Sequence, residues 1–260
     1  MSNALGVIPA RWRSTRFPGK PLHIIAGKPL LQRVWERVRR AKALDSVIVA
    51  TDDMRIAEAA FDWGAEVALT SSRHKSGTDR VAEVAEKARG FGYIVNVQGD
   101  EPLISPALID TLVAKLRSNR KIDIVTAAHP FDDPRDIASS HQVKVLVDRF
   151  GRARDFSRSD GFPAVDLIKR RSGERRSLSF SILRHQGIYG FRRDALLRLV
   201  KWQQSPREIA ESLEQLRALE NGVRVHVLVT KHGSPGVDTP ADAEALERKL
   251  ARAKRTGVSR

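Results

Sequence analysis

Short apolar runs alternate with helical patterns along the first half of the chain, and this alternation is the feature that most constrains the fold. The runs at 5–8, 47–50 and 93–97 are nearly continuous, as in parallel strands that are buried on both faces. Between them apolar residues recur at helical spacing, for example at 30, 31, 34, 35 and 38. Strand–helix alternation with short connections predicts an α/β fold with a mostly parallel central sheet and helices on both faces.

The second half of the chain is less regular. Valine recurs at every second position over 143–147, which predicts a strand with one exposed face, and 148–156 is typical of a turn and a returning strand. We therefore expect an inserted β-hairpin region at about 141–190, with a polar surface loop over 157–180. One helix is predicted around 206–220, with Ile209, Leu213, Leu216 and Leu219 facing inward. We expect a single domain over 1–247, followed by a basic tail at 248–260.

The chain carries a net charge of +15, and this excess is concentrated in three segments. Residues 1–42 hold ten basic residues against one acidic residue, and 149–176 and 248–260 are also strongly basic. Such charge suits nucleic acid, but the sequence lacks interleaved aromatic residues and a reading helix, so we expect no nucleic-acid partner.

The absence of cysteine excludes disulfide scaffolds, cysteine-bound zinc, iron–sulfur clusters and thiol catalysis. No apolar run approaches the roughly 18 residues that a membrane-spanning helix needs, so we expect no stable membrane insertion. The first apolar stretch is also too short for a signal peptide, and we expect a cytoplasmic protein.

A basic loop follows the first predicted strand, with the sequence P-A-R-W-R-S-T-R-F-P-G-K-P at 9–21. Ligands of open α/β sheets bind beyond the carboxyl ends of the strands, and a loop with several cations and a flexible glycine suits a polyphosphate. It is not a Walker loop, because Gly19-Lys20 and Gly27-Lys28 are each followed by proline. The alternative is a solvated basic loop.

Two aspartates stand at positions where a metal ion could be bound. Asp100 follows the strand at 93–97, where a carboxylate can hold Mg²⁺ against a triphosphate, and Asp238 immediately precedes a predicted helix. The alternatives are a turn residue for Asp100 and a helix-capping acid for Asp238.

The stretch V-I-P-A-R-W-R-S-T-R-F-P-G-K-P-L at 7–22 resembles the nucleotide-binding signature of the sugar cytidylyltransferases. More narrowly, the chain resembles the 3-deoxy-D-manno-octulosonate (Kdo) cytidylyltransferases, which make CMP-Kdo for bacterial lipopolysaccharide. Further stretches match in order: V-A-T-D-D at 49–53, H-K-S-G-T-D-R at 74–80, N-V-Q-G-D-E-P at 96–102, F-S-R at 156–158, R-H-Q-G-I-Y-G-F at 184–191, S-L-E-Q-L-R at 212–217 and G-V-D-T-P-A-D at 236–242.

The resemblance implies a Rossmann-like nucleotidyltransferase fold, a homodimer and an enzyme in which the anomeric hydroxyl of Kdo attacks the α-phosphorus of CTP and pyrophosphate leaves. It implies that Asp100 and Asp238 bind Mg²⁺ together. Lys20, Arg11, Asp100 and Asp238 are then the catalytic candidates. The nucleotide-binding candidates are Pro9, Ala10, Arg11, Arg16, Lys20, Ser76, Gly77, Arg80, Gln98 and Asp100. The alternative acceptor is another acidic sugar, 8-amino-Kdo or one like sialic acid.

The acceptor is an acid, so its site needs cations together with groups that bind hydroxyls. The candidates in the matched stretches are Arg80, Gln98, Arg158, Arg184, His185, Tyr189, Glu214 and Gln215. Structural alternatives remain open: Arg80 as a solvated helix arginine, Tyr189 as a core residue, and Glu214 as a local partner of Arg217. After F-S-R the chain departs from the family pattern, in a segment that is unusually basic.

Overall fold

The computed structural model describes residues 2–14, 16–159 and 180–255. The chain forms two compact units: unit 1 consists of Met1–Val113 with Ser234–Arg260, and unit 2 of Ala114–Gly233. The expectation of one domain over 1–247 stays a prediction. No helix among the described residues has the length and apolar character needed to cross a bilayer.

The first part of the chain alternates strands and helices as predicted. Its elements are β1 (Asn3–Ala10), β2 (Ile24–Ile25), β3 (Lys28–Pro29), α1 (Leu30–Val38), β4 (Ser46–Thr51), α2 (Met54–Asp62), β5 (Glu66–Leu69), α3 (Gly77–Lys87), β6 (Phe91–Asn96) and α4 (Pro106–Ser118). A 3-10 turn at Lys20–Leu22 precedes β2. In unit 1 the strands pair in the order β6-β1-β4-β5, and all three pairings are parallel.

Strand β1 is covered by helices on both faces. Successive residues of a strand point to opposite faces, and α1 packs so closely on one face that a Cβ on Gly6 would lie 3.4 Å from Val38 Cγ1. On the other face the first residue of α3, Gly77, lies against the ring of Pro9. The α/β fold class with mostly parallel strands and helices on both faces is thus confirmed.

The second part of the chain contains β7 (Ile124–His129), β8 (Lys144–Asp148), β9 (Ala153–Ser157), β10 (Phe180–Arg192), α5 (Arg193–Leu199), α6 (Pro206–Glu211), α7 (Gln215–Glu220) and β11 (Val225–Val229). In unit 2 β7 pairs with β11 in parallel and with β10 antiparallel, and β8 pairs antiparallel with both β10 and β9. The predicted hairpin over 148–156 is confirmed. The last helix, α8 (Pro240–Arg255), belongs to unit 1 and continues through residues 248–255 of the expected basic tail.

The expectation of an exposed face on the strand near 143–147 is wrong. All five residues of β8 are buried, and Lys144 is 0% exposed. Its ammonium donates to the carbonyl oxygens of Ser139 at 2.9 Å and Arg158 at 2.7 Å. Because these acceptors replace water, an ionic residue occupies a position that the alternating pattern assigned to solvent.

The single helix predicted over 206–220 is also wrong, because α6 and α7 are separate. Ser212 lies between them with a left-handed φ of 53°. Ile209, predicted to face inward, is 63% exposed. Leu213 and Leu216 are buried as predicted, and the same buried side also carries an ion pair in which Arg217 Nε donates to Glu208 at 2.8 Å. Apolar periodicity predicts neither a break in a helix nor a buried ion pair.

Two further expectations concern the inward face of α2 and the polar loop predicted over 157–180. The spacing of Ile56, Ala57, Ala60 and Phe61 predicts one inward helix face, but in α2 the first three residues are buried and Phe61 is 74% exposed. The polar loop predicted over 157–180 lies mostly outside the described residues.

Candidate active site

The basic loop after β1 is shaped by turns that direct one lysine inward. The loop ends at Gly19, whose positive φ of 70° is the left-handed conformation that glycine adopts without strain. Gly19 N donates to the carbonyl of Trp12 at 3.3 Å, and Lys20 N donates to that of Phe17 at 3.2 Å. The Lys20 side chain, 15% exposed, therefore points back across the carboxyl end of the sheet in unit 1 rather than into solvent.

Lys20 joins two aspartates that are far apart in sequence. Its ammonium lies 2.6 Å from Asp100 Oδ2 and 3.3 Å from Asp238 Oδ1, and Arg16 lies 3.3 Å from the same oxygen of Asp238. The backbone holds the two segments together, because Val237 N donates to the carbonyl of Asp100 at 2.9 Å. The structure thus brings together four of the residues that the sequence had singled out.

The donor chemistry of this cluster suits a magnesium ion. Mg²⁺ takes oxygen ligands and is usually bound by one or two carboxylates plus substrate phosphates and water. Asp100 and Asp238 supply two carboxylates that already converge on one positive charge. Within the described ranges no group of three or more metal-ligating side chains occurs, so any remaining ligands would come from substrate and water.

The start of α3 lies against the end of β1 and against the loop after β6. A Cβ on Gly77 would lie 3.5 Å from Pro9 Cγ and 4.0 Å from Gln98 Oε1. Ser76 caps the helix, because its hydroxyl accepts from Asp79 N at 3.1 Å. These four candidates, with the buried Ala10, therefore line the same edge of unit 1. A glycine at this place leaves backbone groups accessible to a flat base.

The two remaining arginine candidates of unit 1 differ in their surroundings. Arg80 is 5% exposed, its guanidinium lies 2.8 Å from Asp52 Oδ1, and it also donates to the Thr70 hydroxyl. The alternative reading as a solvated helix arginine is therefore wrong. Arg11, in contrast, is exposed.

In unit 2, His185 and Tyr189 form an aromatic cluster on β10. Their rings are 5.4 Å apart, and the Phe156 ring lies 5.1 Å from His185. The His185 Nε2 atom is 2.9 Å from the Thr126 hydroxyl. Burial and, to a smaller extent, the positive charge of Arg158 lower the pKa of His185 to about 3. The imidazole is therefore neutral at physiological pH.

Charged residues act on the same cluster. Burial raises the pKa of the Tyr189 hydroxyl well above its ordinary value, the negative charge of Glu214 raises it further, and Arg158 opposes the change. Arg158, His185, Tyr189 and Glu214 are thus brought together electrostatically. Gln215 follows as the buried first residue of α7.

Arg184 lies elsewhere. It precedes His185 in a regular part of β10, so its side chain points to the opposite face of the strand. The structure does not place it in this cluster.

Comparison with known proteins identifies the family. A family model described as Cytidylyltransferase matches residues 5–225. The chain is 46% identical over 253 residues to the 3-deoxy-manno-octulosonate cytidylyltransferase of Geobacter sulfurreducens, covering 95% of this chain and 99% of that protein. The chain belongs to the cytidylyltransferase family.

Two more matches agree with this assignment. The enzyme of the same name from Pseudomonas syringae pv. tomato is 48% identical over 247 residues, covering 94% of this cytidylyltransferase and 96% of that protein. A solved structure of CMP:2-keto-3-deoxy-manno-octonic acid synthetase complexed with CTP matches with a TM-score of 0.85 at 38% identity, covering 96% and 99% of the two chains. The resemblance inferred from the motifs is confirmed, and the protein is a nucleotidyltransferase.

Sequence reasoning about this cytidylyltransferase missed Glu211. Its carboxylate accepts from the Ser157 hydroxyl and from Arg158 N, both at 2.7 Å, and Arg158 Nε donates to its carbonyl at 3.2 Å. Since Lys144 also donates to the Arg158 carbonyl, two buried or half-buried ionic residues fix the backbone of Arg158. No sequence pattern indicated that Glu211 holds the backbone of Arg158, because Glu211 lies at the end of α6, where the sequence predicted an uninterrupted helix.

Proposed function

We propose that the protein transfers CMP from CTP to the anomeric hydroxyl of Kdo, giving CMP-Kdo and pyrophosphate. The observation that carries the proposal is the convergence of Lys20, Asp100 and Asp238 at the carboxyl end of a parallel sheet. Two relatives at 46% and 48% identity, both named for this activity, support it. The CTP complex of a structural neighbour supports the choice of nucleotide.

The charges of the cluster explain why a divalent cation belongs to the proposal. The two cationic side chains, Lys20 and Arg16, are balanced by the two carboxylates, so the cluster alone offers a triphosphate little net attraction. We therefore propose Mg²⁺ as the cofactor, held by Asp100 and Asp238. Bound there, Mg²⁺ would neutralise phosphate charge and favour in-line displacement at the α-phosphorus.

In this proposal the cationic side chains of the loop after β1 stabilise the negative charge of the phosphates. Lys20 stabilises the charge that develops on the leaving pyrophosphate, while Arg11 and Arg16 bind phosphate oxygens. Cations that are held in place before the reaction need little rearrangement during it, and such preorganisation is a main source of rate enhancement.

Nucleotide selection is assigned to the edge formed by β1 and α3. Pro9, Ala10, Ser76 and Gly77 contact the cytosine. Gly77 lies in van der Waals contact with the Pro9 ring and carries no side chain that would keep a flat base away from the backbone. Arg80 and Gln98 remain candidates for both substrates. The ion pair with Asp52 orients the Arg80 guanidinium for either role.

The acceptor is assigned to the cluster of unit 2. A neutral His185 and a protonated Tyr189 each offer a hydrogen-bond donor and an acceptor, which suits the hydroxyls of a polyol. Glu214 and Gln215 add acceptors, and Arg158 supplies positive charge for the sugar carboxylate. Arg184 is the weakest of the original candidates, because it lies on the other face of β10.

Pyrophosphate release in the presence of CTP, Mg²⁺ and candidate acceptors tests the proposal. We expect release with Kdo and near-complete loss of it in Asp100→Ala and Asp238→Ala, whereas Asp194→Asn, a change at an exposed aspartate of α5, keeps wild-type activity. Assays with 8-amino-Kdo and N-acetylneuraminate decide among the acidic sugars. Failure to release pyrophosphate with any ulosonic acid contradicts the function, and undiminished release in both alanine variants contradicts the metal assignment.

We further propose that the protein is a cytoplasmic homodimer, as the resemblance to Kdo cytidylyltransferases implies. Light scattering coupled to size exclusion measures the mass of the particle directly. A mass near 29.0 kDa, that of one chain, contradicts the dimer.

A further inference from the structure

Trp12, in the basic loop after β1, lies between an arginine and a glycine. The guanidinium carbon of Arg55 is 3.6 Å from the centroid of the Trp12 ring. Ring atoms of Trp12 also lie 3.2 to 3.8 Å from the place where a Cβ on Gly19 would stand. The indole is thus in contact with α2 through Arg55 and with the turn that carries Lys20 through Gly19.

Arg55 is held in this position by its neighbour Asp53. Arg55 Nε donates to Asp53 Oδ1 at 2.9 Å, and the other guanidinium nitrogen donates to Oδ2 at 2.6 Å. The same carboxylate caps α2 by accepting from Arg55 N at 3.1 Å. The hydrogen bonds from Arg55 lower the pKa of the Asp53 carboxyl. A bidentate pair at a helix N-terminus therefore fixes the plane of the guanidinium against the indole.

Trp12 contacts Gly19, which is joined to Lys20 of the candidate site by one peptide bond. Gly19 adopts a left-handed φ, and its amide donates to the Trp12 carbonyl at 3.3 Å. Lys20 follows directly and opens the 3-10 turn that directs its ammonium to Asp100. The orientation of Lys20 therefore depends on the surface that Trp12 offers to Gly19.

We propose that Trp12 and Arg55 are positioning residues of Lys20, and that their stacked side chains keep the loop in the shape that directs its ammonium at the reacting phosphates. The catalytic consequence rests on the proposed function, whereas the effect on Lys20 itself does not. A cation–π contact at a partly exposed site limits the effect of losing Arg55 to about two- to fivefold. Loss of the indole also removes the packing on Gly19, so its effect exceeds that of losing Arg55.

A comparison in two backgrounds separates positioning from a general structural role. Arg55→Met is expected to lower kcat/KM for CTP by about two- to fivefold in the wild-type background. In the Lys20→Met background the same change is expected to have no effect, because nothing remains to be positioned. Trp12→Ala lowers kcat/KM further, and Trp12→Phe, which keeps an aromatic ring, restores most of it. Equal losses from Arg55→Met in both backgrounds overturn the proposal.

A second readout needs no substrate. The acetylation rate of Lys20 by acetic anhydride, followed by mass spectrometry, is expected to rise in Arg55→Met and in Trp12→Ala, since the ammonium is then less firmly held against Asp100. The control is Arg39→Met, which removes another Arg–Trp stack, with 4.7 Å from Arg39 to the Trp35 ring, at the end of α1. The control is expected to leave the rate unchanged.

Unchanged Lys20 labelling in both Arg55→Met and Trp12→Ala overturns the positioning role. A wild-type protein without CMP transfer contradicts the proposed function but leaves this labelling result readable, so the two failures are distinguishable.

Discussion

The neutral histidine of unit 2 leads to a quantitative prediction about pH and stability. Burial and the charge of Arg158 lower the pKa of His185 from 6.5 to about 3. Between these two values the unfolded chain binds a proton on His185 that the folded chain does not bind. Since the unfolded state then holds more protons, the free energy of unfolding falls as pH falls from about 6.5 towards 3.

The magnitude follows from linkage. Each pKa unit corresponds to about 1.36 kcal/mol, so at pH 5, about 1.5 units below the unfolded value, His185 costs about 2 kcal/mol of stability. At about pH 7.5 His185 barely changes the free energy of unfolding, because its imidazole is neutral in both the folded and the unfolded state. His226 contributes a similar slope, since burial and the charge of Lys115 lower its pKa to about 4 although Asp148 opposes the change.

Urea unfolding at several pH values between about 7.5 and 5, followed by circular dichroism, measures this slope. The variant His185→Gln keeps a polar side chain opposite Thr126 but cannot titrate. We expect the stability difference between wild type and variant to change by about 2 kcal/mol in favour of the variant over this range. His226→Gln is the matched control and should retain the slope due to His185. Parallel stability profiles for wild type and His185→Gln would refute the reasoning.

Two further predictions concern the segment around α6 and α7. Arg217→Met leaves Glu208 buried without the guanidinium that holds the pKa of its carboxyl below the usual value against the opposing effect of burial. We expect a loss of about 3–5 kcal/mol in urea unfolding, with part of it recovered in the Glu208→Gln/Arg217→Met double variant. Ile209→Ser should change stability by no more than about 0.5 kcal/mol and Leu216→Ala should cost about 2–5 kcal/mol in the same measurement. The reverse order would contradict the break between the helices.

Elements with a strong local signal could be predicted from the sequence. The continuous apolar runs became β1, β4 and β6, and the stripe that begins at Leu30 became the buried face of α1, because each pattern is set by neighbours in the chain. The spacing of Thr239 and Asp242, with proline at the first helical position, predicts a capping box before the last helix. The structure contains it, with reciprocal hydrogen bonds at 2.8 and 3.3 Å. Such signals depend on a few consecutive residues and survive changes elsewhere.

Predictions failed where a distant partner changed the cost of burial. The alternating pattern predicts that Lys144 faces solvent, but two carbonyl oxygens from other segments accept hydrogen bonds from its ammonium. Glu208 and Arg217 read as polar positions of one helix, yet they form the buried contact between two. The alternative of a solvated Arg80 fails for the same reason, because its guanidinium pairs with Asp52 on a neighbouring loop. None of these partners can be located from local periodicity.

The sequence by itself determined the alternation of strands and helices, the basic loop after the first strand and the motifs that indicated a sugar cytidylyltransferase. Only the tertiary structure decided that Lys20 meets Asp100 and Asp238, which are 80 and 218 residues away in the chain. It also brought Arg158 and Glu214 to the cluster of His185 and Tyr189, and stacked Arg55 on Trp12. The reason is physical: periodicity records which face of an element is buried, whereas the meeting of side chains depends on strand order and loop geometry, which the whole chain sets together.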